Sequence, residues 1–191
     1  MKIIALSGLA QTGKTTAAEY LHAKHKFGLL TLAEPIKELA SILLGEEYSW
    51  VEENKNVVHP SMEEVAPGKN ITVRKILQTL GTEWGRNLLH PDIWINYVLK
   101  DLPWYEEHEW PGVVITDCRF DNEAIAVRKA GGIVCHIRRA NAPSIGRHIS
   151  EAGIDPDGSD YIYRNDSTLD GLYKNMDMMV SMYDKLVKMR R

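Results

Sequence analysis

Residues 8–15 read Gly-Leu-Ala-Gln-Thr-Gly-Lys-Thr and follow directly on an apolar run, Ile3 to Leu6. A glycine, four residues and then Gly-Lys-Thr is the spacing of a phosphate-binding loop. Its context is the one the motif requires: a buried parallel strand before it and a helix, Lys14 to about Lys26, after it. The glycines let backbone N–H groups turn inward toward phosphate oxygens, and the helix N-terminus adds the positive end of its dipole. Lys14 supplies a point charge for β- and γ-phosphates, and the Thr15 hydroxyl can ligate Mg²⁺. Gly8, Gln11, Thr12, Gly13, Lys14, Thr15 and Thr16 are therefore the expected triphosphate-binding residues. The loop says that a nucleoside triphosphate binds; what is done with it must be read from the rest of the chain.

Apolar periodicity supplies the fold class. Strands are expected at Ile3–Leu6, Leu29–Leu32, Val113–Asp117, Ile133–Ile137 and Tyr161–Tyr163, alternating with helices. That alternation specifies an α/β fold with a five-stranded parallel sheet flanked by helices and right-handed crossovers. Pro35 suits a first helical turn ahead of Ile36, Leu39, Ala40 and Leu43. Thr72 is an N-cap for a helix facing inward through Val73, Ile76, Leu77 and Leu80, and Gly81 interrupts it before a weaker continuation to Leu89. A helix from Ile93 to about Asp101 and a loop holding Pro103 and Pro111 precede the Val113 strand. Asp121 or Asn122 caps the helix after that strand. Thr168 opens a last helix whose buried side is Leu169, Leu172, Tyr173, Met176, Met179, Val180, Tyr183 and Leu186. Residues 46–70, Glu-rich with Pro60, Pro67 and Gly68, show no sustained period and read as a mobile substrate-side excursion.

At 191 residues the chain suits one domain, 1–191, and its 44% hydrophobic and 26% charged content is ordinary for a globular protein. The net charge of −3 argues against a dedicated nucleic-acid binder. Cys118 and Cys135 lack zinc-ligand spacing and are expected as buried, reduced thiols of a cytoplasmic protein. No apolar run approaches membrane-spanning length, and the N-terminus enters the first strand without room for a signal peptide.

Three clusters carry further chemistry. Asp117 ends an apolar strand, where a parallel sheet presents ligand-binding groups, and is expected to reach Mg²⁺ and phosphate. Arg119 and Glu123 follow it closely enough to hold a phosphoryl group and a sugar hydroxyl. Arg138, Arg139 and Arg147 lie on a polar segment, about 138–160, suited to a lid that closes over transferring phosphates, with His148 orienting it. Arg74 and Gln78 are one helical turn apart and share a face, the first able to bind phosphate and the second a base edge. Trp84 and Trp94 can stack on a base or fill the core.

Taken in order, several stretches resemble the deoxynucleoside monophosphate kinases of tailed bacteriophages. They are the phosphate loop, Leu32-Ala-Glu-Pro-Ile-Lys37-Glu, Val73-Arg74, Leu77-Gln78-Thr-Leu-Gly81-Thr82-Glu83, Trp94, Thr116-Asp117-Cys-Arg119, His148-Ile-Ser-Glu151-Ala-Gly and Asn165-Asp166-Ser-Thr-Leu. The resemblance runs along nearly the whole chain except residues 46–70. It implies the nucleoside monophosphate kinase fold of the P-loop class and transfer of the γ-phosphoryl of ATP to a deoxynucleoside monophosphate. It implies further that Lys37, Arg74, Gln78, Gly81, Thr82, Trp94, Asp117, Arg119 and Glu123 line the acceptor site, within an insertion spanning about 34–102. Arg138, Arg139 and Arg147 would belong to the lid, and Asn165 and Asp166 would lie near the adenine. ATP and Mg²⁺ are thus the expected cofactors, Thr15 and Asp117 the metal ligands, and the deoxynucleotide the partner, with neither nucleic acid nor membrane. Subunit number stays open, a homodimer among the options. Two other readings also remain open: a kinase of another small acceptor such as dephospho-coenzyme A, and a nucleotide-driven switch or ATPase.

Overall fold

The structure, a computed structural model, describes residues 1–140 and 154–188. The chain forms two compact units, Met1–Thr31 with Val98–Arg191, and Leu32–Tyr97.

The first unit is built on a parallel sheet in the order β2-β3-β1-β4-β5, from β1 (Lys2–Ser7), β2 (Gly28–Leu30), β3 (Gly112–Ile115), β4 (Ile133–Arg138) and β5 (Tyr161–Arg164). Every pairing is parallel; Ile4, for example, sits opposite Val114 on one side and Ile133 on the other. β1 is therefore central and fully flanked, which explains why Ile3 to Leu6 is apolar without alternation. On one face α1 (Lys14–His25) and α9 (Leu169–Lys188) bury Ala17, Ala18, Leu21, Leu172, Met176, Met179 and Tyr183 against Ile4, Leu6, Cys135 and Ile137. The Tyr183 hydroxyl anchors α9 to the sheet, accepting from Ile3 N at 2.9 Å and donating to Gly131 O at 2.8 Å. α8 (Asp121–Lys129) covers β1 and β4 with Ala124 and Val127. Leu169 departs from the expected buried stripe: it starts the helix and stays exposed. Thr168 caps α9 as expected, its Oγ1 accepting from Gly171 N. The expected loop around Pro103 contains a short helix, α7 (Leu102–Glu107), with the proline in its first turn, where a missing N–H costs little. β2 begins and ends earlier than the Leu29–Leu32 expectation.

The second unit is helical. α2 (Glu34–Leu44), α3 (Tyr48–Glu53), α4 (Pro60–Val65) and α5 (Val73–Gln78) enclose Ala40, Leu44, Val51, Val73 and Ile76, with Trp50, Met62 and Leu77 packed against them. Residues 46–70 are thus no irregular excursion. Their two helices have six residues each, too few to show a 3.6-residue period, yet Val51 is fully buried. Gly81 does not interrupt the next helix either. The backbone passes from α5 straight into a π-helix, Thr79–Leu89, in which Gly81 and Gly85 are buried. The helix α6 (Ile93–Leu99) follows and leads back to the first unit. Among the described residues, no helix is long and apolar enough to cross a membrane.

Candidate active site

The phosphate loop leaves the carboxyl end of β1, where the neighbouring strands β3 and β4 diverge in connectivity and a parallel sheet opens a crevice. Gly8 has φ +144°, and a Cβ there would stand 2.2 Å from the carbonyl oxygen of Ile137 on β4. Only glycine lets the loop turn this close to the next strand. Gly13, φ +103°, caps α1 in the left-handed region, and the chain enters the helix at Lys14. Thr12 is buried and its Oγ1 donates to Leu9 O at 3.0 Å. Lys14 Nζ donates to Gly8 O at 2.8 Å and Leu9 O at 2.7 Å, so its ammonium lies over its own loop. Gln11 adopts φ +61°, Thr15 is exposed and Thr16 half-buried at the start of α1.

Asp117 occupies the turn after β3. Thr116 N donates to Leu30 O at the end of β2, at 2.9 Å, and Cys118 N to Leu6 O at 3.1 Å, which stitches this turn to the end of β1, two residues before Gly8. Glu123, on the first turn of α8 and only 1% exposed, accepts from Arg119 N at 2.7 Å and Phe120 N at 3.0 Å through Oε2. It thereby holds the backbone that presents the exposed Arg119, and Phe120, not Asp121 or Asn122, is the N-cap. Burial, with the charges of Glu123 and Asp117 beside it, raises the Cys118 thiol well above its usual range, and burial pushes Cys135 up to about 12. Both are free, protonated and inert, as expected of them.

Arg138 ends β4 and Arg139 follows it, both exposed. Arg147 and His148 lie outside the described residues. Asn165 and Asp166, just past β5, do not stand apart from the loop. Asn165 Nδ2 donates to Thr12 O at 2.9 Å, and Asp166 Oδ1 accepts from Ala140 N at 2.8 Å.

In the second unit Lys37, on α2, is paired with the Glu52 carboxylate and lies 3.3 Å from the Tyr48 hydroxyl; Lys55 takes the other Glu52 oxygen. Burial opposes the charge on Lys37, but the Glu52 contact outweighs it and raises the ammonium pKa. The same pair of lysines outweighs burial at Glu52 and lowers its carboxyl. Arg74, at the start of α5, donates from Nε to Asn56 Oδ1 at 3.0 Å, while its backbone N–H bonds Lys55 O at 2.6 Å. Gln78 and Thr82 are half-buried, one on α5 and one on the π-helix. Trp94 is 4% exposed; its indole N–H donates to Gly81 O at 2.7 Å, and its ring covers Gly85, where a Cβ would approach to 2.3 Å. That ring is spent on packing, whereas Trp84, 6.4 Å away, stays partly exposed. Glu52, Asn56 and Tyr48 escape sequence reasoning, since they fall in the aperiodic stretch. The one signal is the Glu52–Lys55 spacing of three, a helical pair.

A central β1, a phosphate loop, and an acid-bearing turn stitched beside it define an α/β fold of the P-loop type. An unliganded sugar kinase from Janibacter sp. HTCC2649 shares the fold, with a TM-score of 0.53 over 97% of this chain and 98% of that one, at 8% identity. The sequence profile of the deoxynucleotide monophosphate kinase family matches residues 46–176. The chain belongs to that family and is an ATP-dependent kinase. The deoxynucleotide monophosphate kinase of Escherichia phage RB69 is 24% identical over 94% of this chain and 100% of its own length. A relative from Acanthamoeba polyphaga mimivirus is 30% identical over 92% of this chain and 94% of its own.

Proposed function

We propose that this chain transfers the γ-phosphoryl of ATP to a deoxynucleoside 5′-monophosphate, giving the diphosphate, in a reaction that uses Mg²⁺. The observation that carries the reading is the phosphate loop, with Lys14 over its carbonyls and the Asp117 turn bonded to the strand that feeds it. On binding, triphosphate oxygens take the place of the Gly8 and Leu9 carbonyls at Lys14, whose charge then offsets the β- and γ-phosphates. Thr15 and Asp117 would hold the metal. One hydroxyl and one carboxylate suit Mg²⁺, which fills its remaining positions with water and phosphate oxygens. When bound, it neutralises charge on the transferring group.

For the acceptor, Lys37 and Arg74 neutralise the monophosphate, and Gln78 and Thr82 meet the base and sugar. Trp94 acts through Gly81 and the π-helix it supports, and Glu123 through the backbone that presents Arg119. Arg138, Arg139 and Arg147 offset charge at the transferring phosphoryl, in a lid of about 138–160. The whole works as one kinase domain, its acceptor insertion at about 34–102, in the cytoplasm, with neither nucleic acid nor membrane as partner. Both substrates bind together and the phosphoryl passes in line, so no covalent enzyme intermediate forms.

The test is a panel: purified protein, ATP and Mg²⁺ with each dNMP, each NMP and dephospho-coenzyme A. Diphosphate formed from one or more dNMPs is the expected result. Coenzyme A as sole product, or ATP hydrolysis with no acceptor product, would overturn the proposal.

A further inference from the structure

The resemblance puts Asn165 and Asp166 beside the adenine, but their bonds run elsewhere. Asn165 is 8% exposed and reaches the phosphate loop with its side chain, Nδ2 donating to Thr12 O at 2.9 Å. Its backbone N–H donates to Arg138 O at 2.7 Å, at the end of β4. The amide also lies against Gly13, where a Cβ would come within 2.5 Å of Nδ2. Asp166 continues the pattern: one carboxylate oxygen accepts from Ala140 N at 2.8 Å and the other stands 3.5 Å from Arg164 Nε.

We propose that Asn165 is a positioning residue that holds the phosphate loop in its binding conformation and ties it to the strand end carrying Arg138 and Arg139. In a trans peptide the C=O and the following N–H point in opposite directions, and the described residues contain no cis peptide. Anchoring the Thr12 carbonyl on Asn165 therefore turns the Gly13 N–H away from Asn165. Inward-turned loop amides of this kind are what a phosphate loop offers its ligand. Gly13 is already in the left-handed region, so the Thr12–Gly13 plane needs an outside constraint, and Asn165 provides it from β5. Through its backbone bond to Arg138 O, the same residue locks the loop to the end of β4, and Asp166 extends the tie to Ala140. A lost donor at position 165 leaves a buried carbonyl unpaired and the plane free to rotate.

This inference rests on the phosphate-loop reading, and the experiment separates the two. Inorganic triphosphate with Mg²⁺ carries no base, so it probes the loop alone. Calorimetry of the wild type and of Asn165→Ala gives affinities for inorganic triphosphate, ATP and GTP. Positioning predicts that both inorganic triphosphate and ATP weaken by a common factor of about ten, the size of one hydrogen bond. It also predicts an unchanged ATP-to-GTP preference and an unchanged KM for the acceptor. A loss confined to ATP, or a shifted ATP-to-GTP preference, would make Asn165 an adenine contact and overturn the proposal. Failure of the wild type itself to bind inorganic triphosphate would instead sink the loop reading beneath it. Should Asn165→Ala not fold, amide hydrogen exchange on the wild type decides. Adding inorganic triphosphate must slow exchange at residue 165 together with residues 8–15; a response in the loop alone refutes the tie.

Discussion

Lys14 donates to the Gly8 and Leu9 carbonyls of its own loop, contacts that triphosphate oxygens would replace in the proposed complex. Lys14→Ala is accordingly expected to lower kcat by about 10²–10³-fold, as losing one preorganised charge contact does, with an unchanged thermal unfolding transition. Near-normal turnover would remove Lys14 from the chemistry. Arg74→Ala should raise KM for the monophosphate and leave that for ATP alone, since its Nε partner, Asn56, and its backbone partner, Lys55, belong to the helical unit. An ATP-specific defect in steady-state kinetics would refute the placement. Trp94 shows why residue type alone misleads. An aromatic ring near candidate acceptor residues suits base stacking as well as packing, and only burial separates the two. Here the ring covers Gly85 and its N–H is taken by Gly81 O. Trp94→Phe strands that carbonyl and should cost about 1–3 kcal/mol in chemical denaturation, while acceptor KM changes little. Glu123 and Asn165 follow the same rule: polar types expected at a ligand, and buried against backbone.

Elements with a strong period or a strict motif were legible in the sequence: the central strand and its loop, the Thr72 and Thr168 caps, most of the α9 stripe. Those that failed lacked a period to read. The helices α3 and α4 are one and a half turns each, and the π-helix carries two glycines that would ordinarily mark a break. Gly85 serves instead to leave a bare surface for the Trp94 ring, while Gly81 lies against Ile36 and offers its carbonyl to the indole N–H. Polar clusters that join distant elements were equally hidden. Asp160, buried ahead of β5, accepts from Arg128 Nε at 3.0 Å, Asp157 N at 2.8 Å and pairs with His136 Nε2 at 3.0 Å, linking α8, β4 and β5. Burial would raise its carboxyl, but His136, Arg128 and the Asp157 amide outweigh it and hold the pKa well below the usual range. A depressed carboxyl stabilises the fold fully above the unfolded value of about 3.9, and that contribution disappears as pH falls through the folded value. Asp160→Asn should therefore destabilise by about 3 kcal/mol at neutral pH. In urea titrations the gap to wild type should narrow below about pH 4; a gap that widens there would contradict the assignment.

On the scale of the whole molecule, the sheet order 2-3-1-4-5 puts the loop-bearing strand in the middle, and with it the divergence of connections where a parallel sheet binds ligands. Five parallel strands with the loop after the first followed from five apolar runs and one motif; the order that makes that strand central did not. Apolar runs alone do not show the partition at Leu32 and Tyr97, because helical periodicity reports a buried face without naming what covers it; the insertion at about 34–102 was implied only by the family resemblance. The proposed division of labour has the sheet-bearing unit hold ATP and the helical unit supply the residues that recognise the monophosphate. Its central claim is direct transfer of one phosphoryl group between two bound nucleotides. The most direct measurement follows the label from [γ-³²P]ATP in the presence of Mg²⁺ and an accepted dNMP. Label is expected in the dNDP, one equivalent for each ADP formed, with none bound to the protein after quenching. Label released as inorganic phosphate at a rate indifferent to dNMP, or retained covalently on the chain, would contradict it.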